Sequence, residues 1–315
     1  MARFLIQRIA QSVLVLFIVS VVLYLLFFTG GGANQVALRF AGKAASAARV
    51  AQIKHDLRLD EPVYQQYWHW VWSALHGNLG YDYYQSMPVV SVIKQAAPAT
   101  ISLVLGAAVL WISYGVLTGI IAAVKSRTWV DRAVTASALF FYSMPTFVLG
   151  FSLIWLLAYK FRPLPFEGYV AITASPYQWF LHLVLPWVTL ALVTAATYTR
   201  LTRSSMLDVM GEDYIRTARS KGMRERRVIF RHELRASLTP ITTQAGLDIG
   251  TALGGVIITE TLFGITGLGW TAVKAILNQD LPIIMGITML AATFVVVANL
   301  VVDILYSVLD PRVRL

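Results

Sequence analysis

Few residues in this chain are placed to do chemistry, and their spacing excludes most reactions. His232-Glu233 begins like the zinc-protease pattern H-E-x-x-H, but Ala236 stands where the second histidine belongs. His55, His69, His76 and His182 fall at no recognised ligand spacing. The Gly42-Lys43 pair is followed by Ala44 and lacks the earlier glycine of a phosphate-cradling G-x-x-x-x-G-K-[ST] loop. Cysteine is absent, which removes disulfides, thiol nucleophiles and Cys-held metals. No catalytic residue, no metal site and no cofactor in the chain itself is expected.

The remaining chemistry is charge placed in unusual surroundings. Asp248 and Glu260 interrupt an apolar stretch, and a carboxylate at membrane depth is costly unless it meets a partner or a cavity. Both are candidate pathway residues, and a structural hydrogen bond to a neighbouring helix is the competing role for Asp248. Glu260 is expected near the outer end of the same helix, within reach of water. Around Asp248, Gly246, Gly250 and Gly254 form a stripe on another face, suited to close helix approach. Asn299 and Asp303, one turn apart, suit a polar contact between helices.

The densest charge lies in Gly211 to Pro240. Glu212 and Asp213 begin a helical run and Arg219 and Lys221 end it, each sign complementing the helix dipole. Gly222 suits the left-handed residue that stops a helix. A second basic helix is expected over about 224–238, giving a helix, a glycine break and a helix. Tyr214, Ile215 and Ala218 are expected to offer a docking surface. A loop resting on anionic lipid is the simpler reading.

Membrane helices must position these groups. The chain has 315 residues, 57% hydrophobic and 13% charged, against about 25% charged in soluble domains. Five charge-free runs long enough to cross the roughly 30 Å hydrocarbon core, with the apolar stretch 236–263 that Asp248 and Glu260 interrupt, predict six helices, over about 9–28, 99–124, 132–159, 180–203, 239–263 and 282–308. Backbone groups must be satisfied internally in lipid, so the fold class is an all-α bundle. Arg3 and Arg8 precede the first apolar run, which outlasts a signal-peptide core, so that helix is read as retained. With both termini inside, seventeen of the 26 Lys and Arg face the cytoplasm, Arg312 and Arg314 among them. That bias accounts for the net charge of +10 without a nucleic-acid partner.

Residues 29–98 are expected outside. Ala44 to Leu57 reads as a short amphipathic helix. Asp60 is placed as the N-cap of a second, with Pro62 in its first turn. Tyr64, Trp68 and Trp72 share one face, either as an interfacial aromatic belt or as a platform for an extracellular protein. Gly77 to Gly80 ends that helix, and Pro88 and Pro98 punctuate the return. Pro145 and Pro186 bend the third and fourth helices.

With these residues in place, the chain resembles a membrane subunit of an ATP-binding-cassette importer. Gly222 matches the glycine of that family's E-A-A-x-x-x-G loop. Arg216-Thr217-Ala218 fills the E-A-A positions with only the last alanine in common, and His232-Glu233-Leu234-Arg235 departs from the usual continuation. Those departures are similar to the dipeptide/oligopeptide permease branch, with D-Y-x-R-T-A-R-x-K-G and R-H-x-L-R-x-x-L-x-P. The branch is also resembled by Leu57 to Pro62, by Gly77 to Gly80, by Glu260 to Gly264, by Gly267 to Gly269, by Asp280 to Pro282 and by Asp310 to Arg312. Gly30 to Ala33 departs from a common G-D-P run.

The resemblance implies the type I importer permease fold. It divides the chain into a first helix with its extracytoplasmic insert, 1–98, and a five-helix core, 99–315, holding a coupling loop, 204–238. It implies the first of two paralogous permease subunits in a multi-pass bacterial or archaeal plasma membrane. Two ATPase subunits would dock on Glu212, Tyr214, Arg216, Thr217, Ala218 and Gly222, and would hold the ATP and magnesium. A binding protein would deliver short peptides from outside, with Gly264, Gly267, Gly269 and Asp280 in an outer loop facing it. The branch also includes importers of nickel complexes and sugars. On composition alone an ion-coupled secondary transporter, with Asp248 and Glu260 as proton sites, and a pore-less anchored subunit remain the rivals.

Overall fold

The computed structural model describes residues 2–29, 32–41, 46–83, 85–161 and 164–309, with side chains from 6 to 304. Gly30, Gly31, Gly42 to Ala44 and Asp310 to Arg314 lie outside the described residues, as does the side chain of Arg3.

The chain is helical nearly throughout. α1 (Ala2–Phe28) is followed by four pieces of the insert: α2 (Gly32–Ala41), α3 (Ala47–Asp56), α4 (Val63–Leu75) and a minimal hairpin, β1 (Tyr81–Asp82) with β2 (Met87–Pro88). Tyr81 pairs with Pro88 and Asp82 with Met87, antiparallel. α5 (Val89–Val124), α6 (Trp129–Ser143), α7 (Thr146–Leu153) and α8 (Pro176–Met210) follow. α9 (Asp213–Ser220) and α10 (Glu225–Arg227) lead through a π-helical turn, Val228–Glu233, into α11 (Leu234–Leu253). α12 (Ile257–Leu262), α13 (Leu268–Asn278) and α14 (Leu281–Leu309) complete the order.

Among the described residues, four helices are long and apolar enough to cross a membrane: α1, α5, α8 and α14. Counting the bent pair α6–α7 as one span gives a fifth. The third expected helix, 132–159, is therefore not continuous. It breaks at Met144-Pro145 with a bend of 101° and ends in a π-helical turn, Ile154–Lys160. Proline explains the break, because it disfavours helical geometry in the residue before it and offers no backbone N–H. Pro98, Pro186 and Pro240 lie inside helices without ending them.

Other expectations need correction. The second long helix begins at Val89, ten residues before the expected 99, so the boundary at 98/99 falls inside α5. Helix 239–263 ends at Leu253, and Glu260 belongs to the separate α12. The second helix of the charged loop does not stop near 238. From Glu225 it runs without a gap through the π-helical turn into α11. Asp60 does not cap α4, whose N-cap is Pro62, and pairs instead with Lys54 at 2.9 Å.

α5 and α8 form the spine, packed through Leu103, Ala107, Trp111, Leu183, Ala195 and Tyr198. α11 lies on α14 through the glycine stripe. Side chains on Gly246, Gly250 and Gly254 would overlap Val302, Ala298 and Ala291. The insert has its own small core, with Val36, Phe40, Ile53 and Leu59 against Phe27 and Phe28 of α1 and Met285 of α14.

Candidate functional site

The charged loop is a folded unit. Asp213 opens α9 and Arg219 lies in its last turn, as the dipole favours. Gly222 follows with φ +72, and a Cβ there would meet nothing within 4 Å. The glycine requirement is thus conformational, not spatial. Gly222 N–H donates to the Arg219 carbonyl at 2.9 Å, closing the turn.

α9 turns one face inward. Ile215 and Ala218 pack with Val228, Val209 and Met223. This corrects the expected docking surface: Ile215 and Ala218 are spent on the chain's own core, because an eight-residue helix needs that apolar strip to hold its place. Glu212, Tyr214, Arg216, Thr217 and Gly222 are exposed. Thr217 Oγ1 donates to the Asp213 carbonyl at 2.9 Å, and Arg216 lies 3.5 Å from Asp213.

Arg219 ties the loop to the bundle. Its Nη2 donates to Glu225 Oε1 and to Glu233 Oε1, each at 2.7 Å. Glu233 is fully buried, and its Oε2 has no partner among the described residues. Burial pushes the Glu233 carboxyl up, opposed by the Arg219 charge. The Arg219 hydrogen bond pulls the exposed Glu225 carboxyl down. Beside this link, Lys221, Gly222, Arg224, Arg226, Arg227 and Phe230 line a shallow cleft of about 750 Å³.

Another ion pair has no pairing signature in the sequence. Arg203 of α8 grips buried Asp131 of α6 through two bonds, Nε to Oδ1 at 2.7 Å and Nη2 to Oδ2 at 2.8 Å. The Arg127 backbone N–H donates to the same carboxylate at 2.9 Å. The only signal was an acid at the start of a helix, and its partner lies 72 residues away.

The two acids of the apolar stretch, Asp248 and Glu260, bond to different partners on different helices. Asp248 accepts from Tyr198 Oη of α8 and from Gln244 Nε2, each at 2.9 Å. Glu260 is fully buried, so the expected contact with water is corrected. Its Oε1 accepts from Thr100 Oγ1 at 2.6 Å and its Oε2 from the Trp270 backbone N–H at 2.8 Å. Thr100 in turn accepts from the Leu268 N–H at 2.7 Å. Glu260 and Thr100 thus satisfy the first-turn amides of α13, where a carboxylate also meets the positive end of the helix. Gly267 must be glycine here, since a side chain would enter the Glu260 carboxylate.

The expected outer loop, 264–280, is mostly α13. Gly264 has φ +59 and precedes the helix, while Gly269 lies within it against Gly255 and Ile257. Asp280 is buried beside Asp82 of the hairpin. Its carboxyl is pushed up to about 7, first by burial, then by the Asp82 charge and the hydrogen bond between the two. Asp280, Asn278, Lys274, Trp270 and Gln95 line a cavity of about 630 Å³. Lys274 Nζ sits 3.6 Å from the Trp270 ring centroid. At the other end of α14, Asp303 pairs with Arg8 of α1 at 3.2 Å.

Comparison with known proteins gives these features a context. Residues 115–315 match the family described as binding-protein-dependent transport system inner membrane component, and residues 1–104 match the N-terminal component of the same system. One match ends and the other begins inside α5, with residues 105–114 between them. A probable peptide ABC transporter permease, y4tP of Sinorhizobium fredii, is 38% identical over 314 residues, spanning all of both chains. The dipeptide transport system permease DppB of Escherichia coli K12 is 37% identical over 295 residues, covering 86% of this chain and 87% of that one. Among solved structures, the MetNI methionine ABC transporter in inward-facing conformations aligns with TM-score 0.58 over 70% of this chain and 96% of its own, at 15% identity. That likeness concerns the fold.

Proposed function

The chain belongs to the family of binding-protein-dependent transport system inner membrane components, and on that premise we propose that it is one of two paralogous permease subunits of an ATP-driven importer of short peptides. It is a multi-pass inner-membrane subunit of an ABC importer. The finer assignment extends the names of its full-length relatives to this chain.

In this reading, both termini and the loop 204–238 face the cytoplasm. Two ATPase subunits dock on Glu212, Tyr214, Arg216, Thr217 and Gly222 and hold the ATP and magnesium, so this chain needs no cofactor. Ala218 contributes from within, as packing. The supporting observation is the arrangement of α9. Its outer face is free, while Arg219 and the Ile215–Ala218 core fix it to a helix continuous from Glu225 to Leu253. A push on α9 would then reach α11 without passing through a flexible joint. Closure of the ATPases around ATP would move α9 and α11, switching the path between outward and inward access. An extracytoplasmic binding protein delivers the peptide, with Gly264, Gly267, Gly269 and Asp280 on its side. Asp248 and Glu260 act through the hydrogen bonds that fix α8, α11 and α13.

The test is ATP hydrolysis by the purified assembly, supplied with binding protein, across dipeptides, longer peptides, nickel chelates and sugars. Stimulation by peptides alone is expected. Stimulation by a nickel chelate or sugar instead would replace the substrate class. Uptake that survives loss of ATP hydrolysis with an ion gradient held would overturn the reading in favour of ion coupling.

A further inference from the structure

α4 divides into three strips. Gln66, Tyr67 and Trp70 face α1. Tyr67 Oη lies 2.8 Å from Ser20 Oγ, Tyr24 Oη donates to Gln66 Oε1 at 3.0 Å, and the Tyr24 and Trp70 rings stand 6.0 Å apart. Gln65, His69 and Ser73 form a polar strip, and His69 meets Arg58 at 3.0 Å. Tyr64, Trp68 and Trp72 form the third, with 70%, 62% and 56% of their surfaces exposed, and exposed Leu75 extends it. A soluble surface seldom leaves three large aromatics in a row uncovered.

The contacts with α1 fix the depth of that face. Arg8, paired with Asp303, marks the polar boundary at one end of α1. At 1.5 Å per residue, Ser20 lies about 18 Å from Arg8 along the helix and about 12 Å short of Phe28. The hydrocarbon core is roughly 30 Å thick, so Ser20 and Tyr24 fall within the leaflet on the insert's side. A helix touching them cannot project into open solution. It lies at the boundary between head groups and acyl chains, where Trp and Tyr are favoured.

We propose that the Tyr64–Trp68–Trp72 face of α4 is seated in lipid, making the insert a membrane-embedded brace against α1 and not a platform for an extracytoplasmic protein. The polar strip turns to water and head groups, the usual division of an interfacial amphipathic helix. The placement does not depend on the transported substrate.

The chain contains no cysteine, so Trp68→Cys and His69→Cys each give a single labelling site in the full protein. Nitroxides at these sites, in the assembly reconstituted into phosphatidylcholine–phosphatidylglycerol vesicles, report on both sides of the helix. Collision with oxygen should exceed collision with a water-soluble nickel complex several-fold at 68, and the preference should reverse at 69. Adding the binding protein should leave site 68 unchanged. Equal nickel access at both sites would overturn the proposal. So would shielding of site 68 from both reagents, whether constant or brought by the binding protein. Trp72→Cys repeats the measurement if the first variant fails to insert.

Discussion

Arg219 Nη2 lies 2.7 Å from Oε1 of Glu233, a carboxylate with no exposed surface, and this bond joins α9 to the helix that enters the bundle. Removing the guanidinium leaves an uncompensated buried acid, whereas Glu233→Gln keeps an acceptor for Arg219. Arg219→Met should therefore cost more than Glu233→Gln. The cost is about 1–3 kcal/mol locally, after allowance for the exposure of Arg219. Hydrogen exchange over 213–220 should rise at least tenfold in the arginine variant, while the protein stays in the membrane. Equal protection in both variants would remove the bond from the account.

Gly222 separates conformation from contact. Its φ of +72 is forbidden to proline, and its N–H is already bonded to Arg219 O. Space is open around it, so Gly222→Asn should be tolerated and Gly222→Ala should cost about 1 kcal/mol. Gly222→Pro should insert normally yet hydrolyse ATP without uptake. Normal transport by the proline variant would show that the turn plays no part in coupling.

The Asp82–Asp280 pair predicts a pH response. Burial, and then the neighbouring Asp82, push the Asp280 carboxyl up to about 7 in the folded chain, against about 3.9 unfolded. An acid raised in the folded state stabilises most fully below its unfolded pKa, and that contribution disappears as pH rises through the folded value. The contact between hairpin and α14 should thus be firmest near pH 4 and weaken up to and beyond pH 7. Exchange of hairpin amides, corrected for intrinsic rates, should follow this trend. Asp280→Asn should flatten it, and an unchanged slope in that variant would assign the response elsewhere.

Glu260 and Thr100 test the outer end of α13. Thr100→Val keeps the volume but removes a bond to Glu260 and an acceptor for Leu268 N–H. A loss of about 1–3 kcal/mol follows from the unmet buried groups. Thr100→Ser should restore most of it. Thermal unfolding in detergent compares the two, and equal midpoints would count against the capping role.

What sequence could convey follows from the range of each signal. Charge-free runs and the left-handed Gly222 are local signals, and α1, α5, α8 and α14 stand where four such runs lie, as does the φ of +72 at Gly222. The break at Met144-Pro145 was visible only as a bend, because whether a proline kinks or stops a helix depends on its neighbours. Glu260 was misplaced because the glycine series through Gly254 reads as continuing helix, whereas Gly255, with φ +128, turns the chain and aims the acid at α13. Arg219–Glu233 and Asp131–Arg203 close across 14 and 72 residues, where no periodicity can announce them.

Asp248 distinguishes a pathway group from a fastening. Its two oxygens accept from Tyr198 and Gln244, linking α8 to α11. Asp248→Asn retains an oxygen for the Tyr198 hydroxyl and should cost little stability. Asp248→Leu leaves that hydroxyl and the Gln244 amide unpaired, at about 1–3 kcal/mol. If Asp248 only fastens helices, uptake should fall in step with stability, so the asparagine variant should transport nearly as well as the parent. If the charge itself guides a substrate amine, asparagine should transport as poorly as leucine while unfolding at the parent's temperature. Bonds from two donors to one carboxylate favour the first outcome, since both oxygens are already engaged. The paired measurement is uptake in vesicles against unfolding midpoint for the two variants.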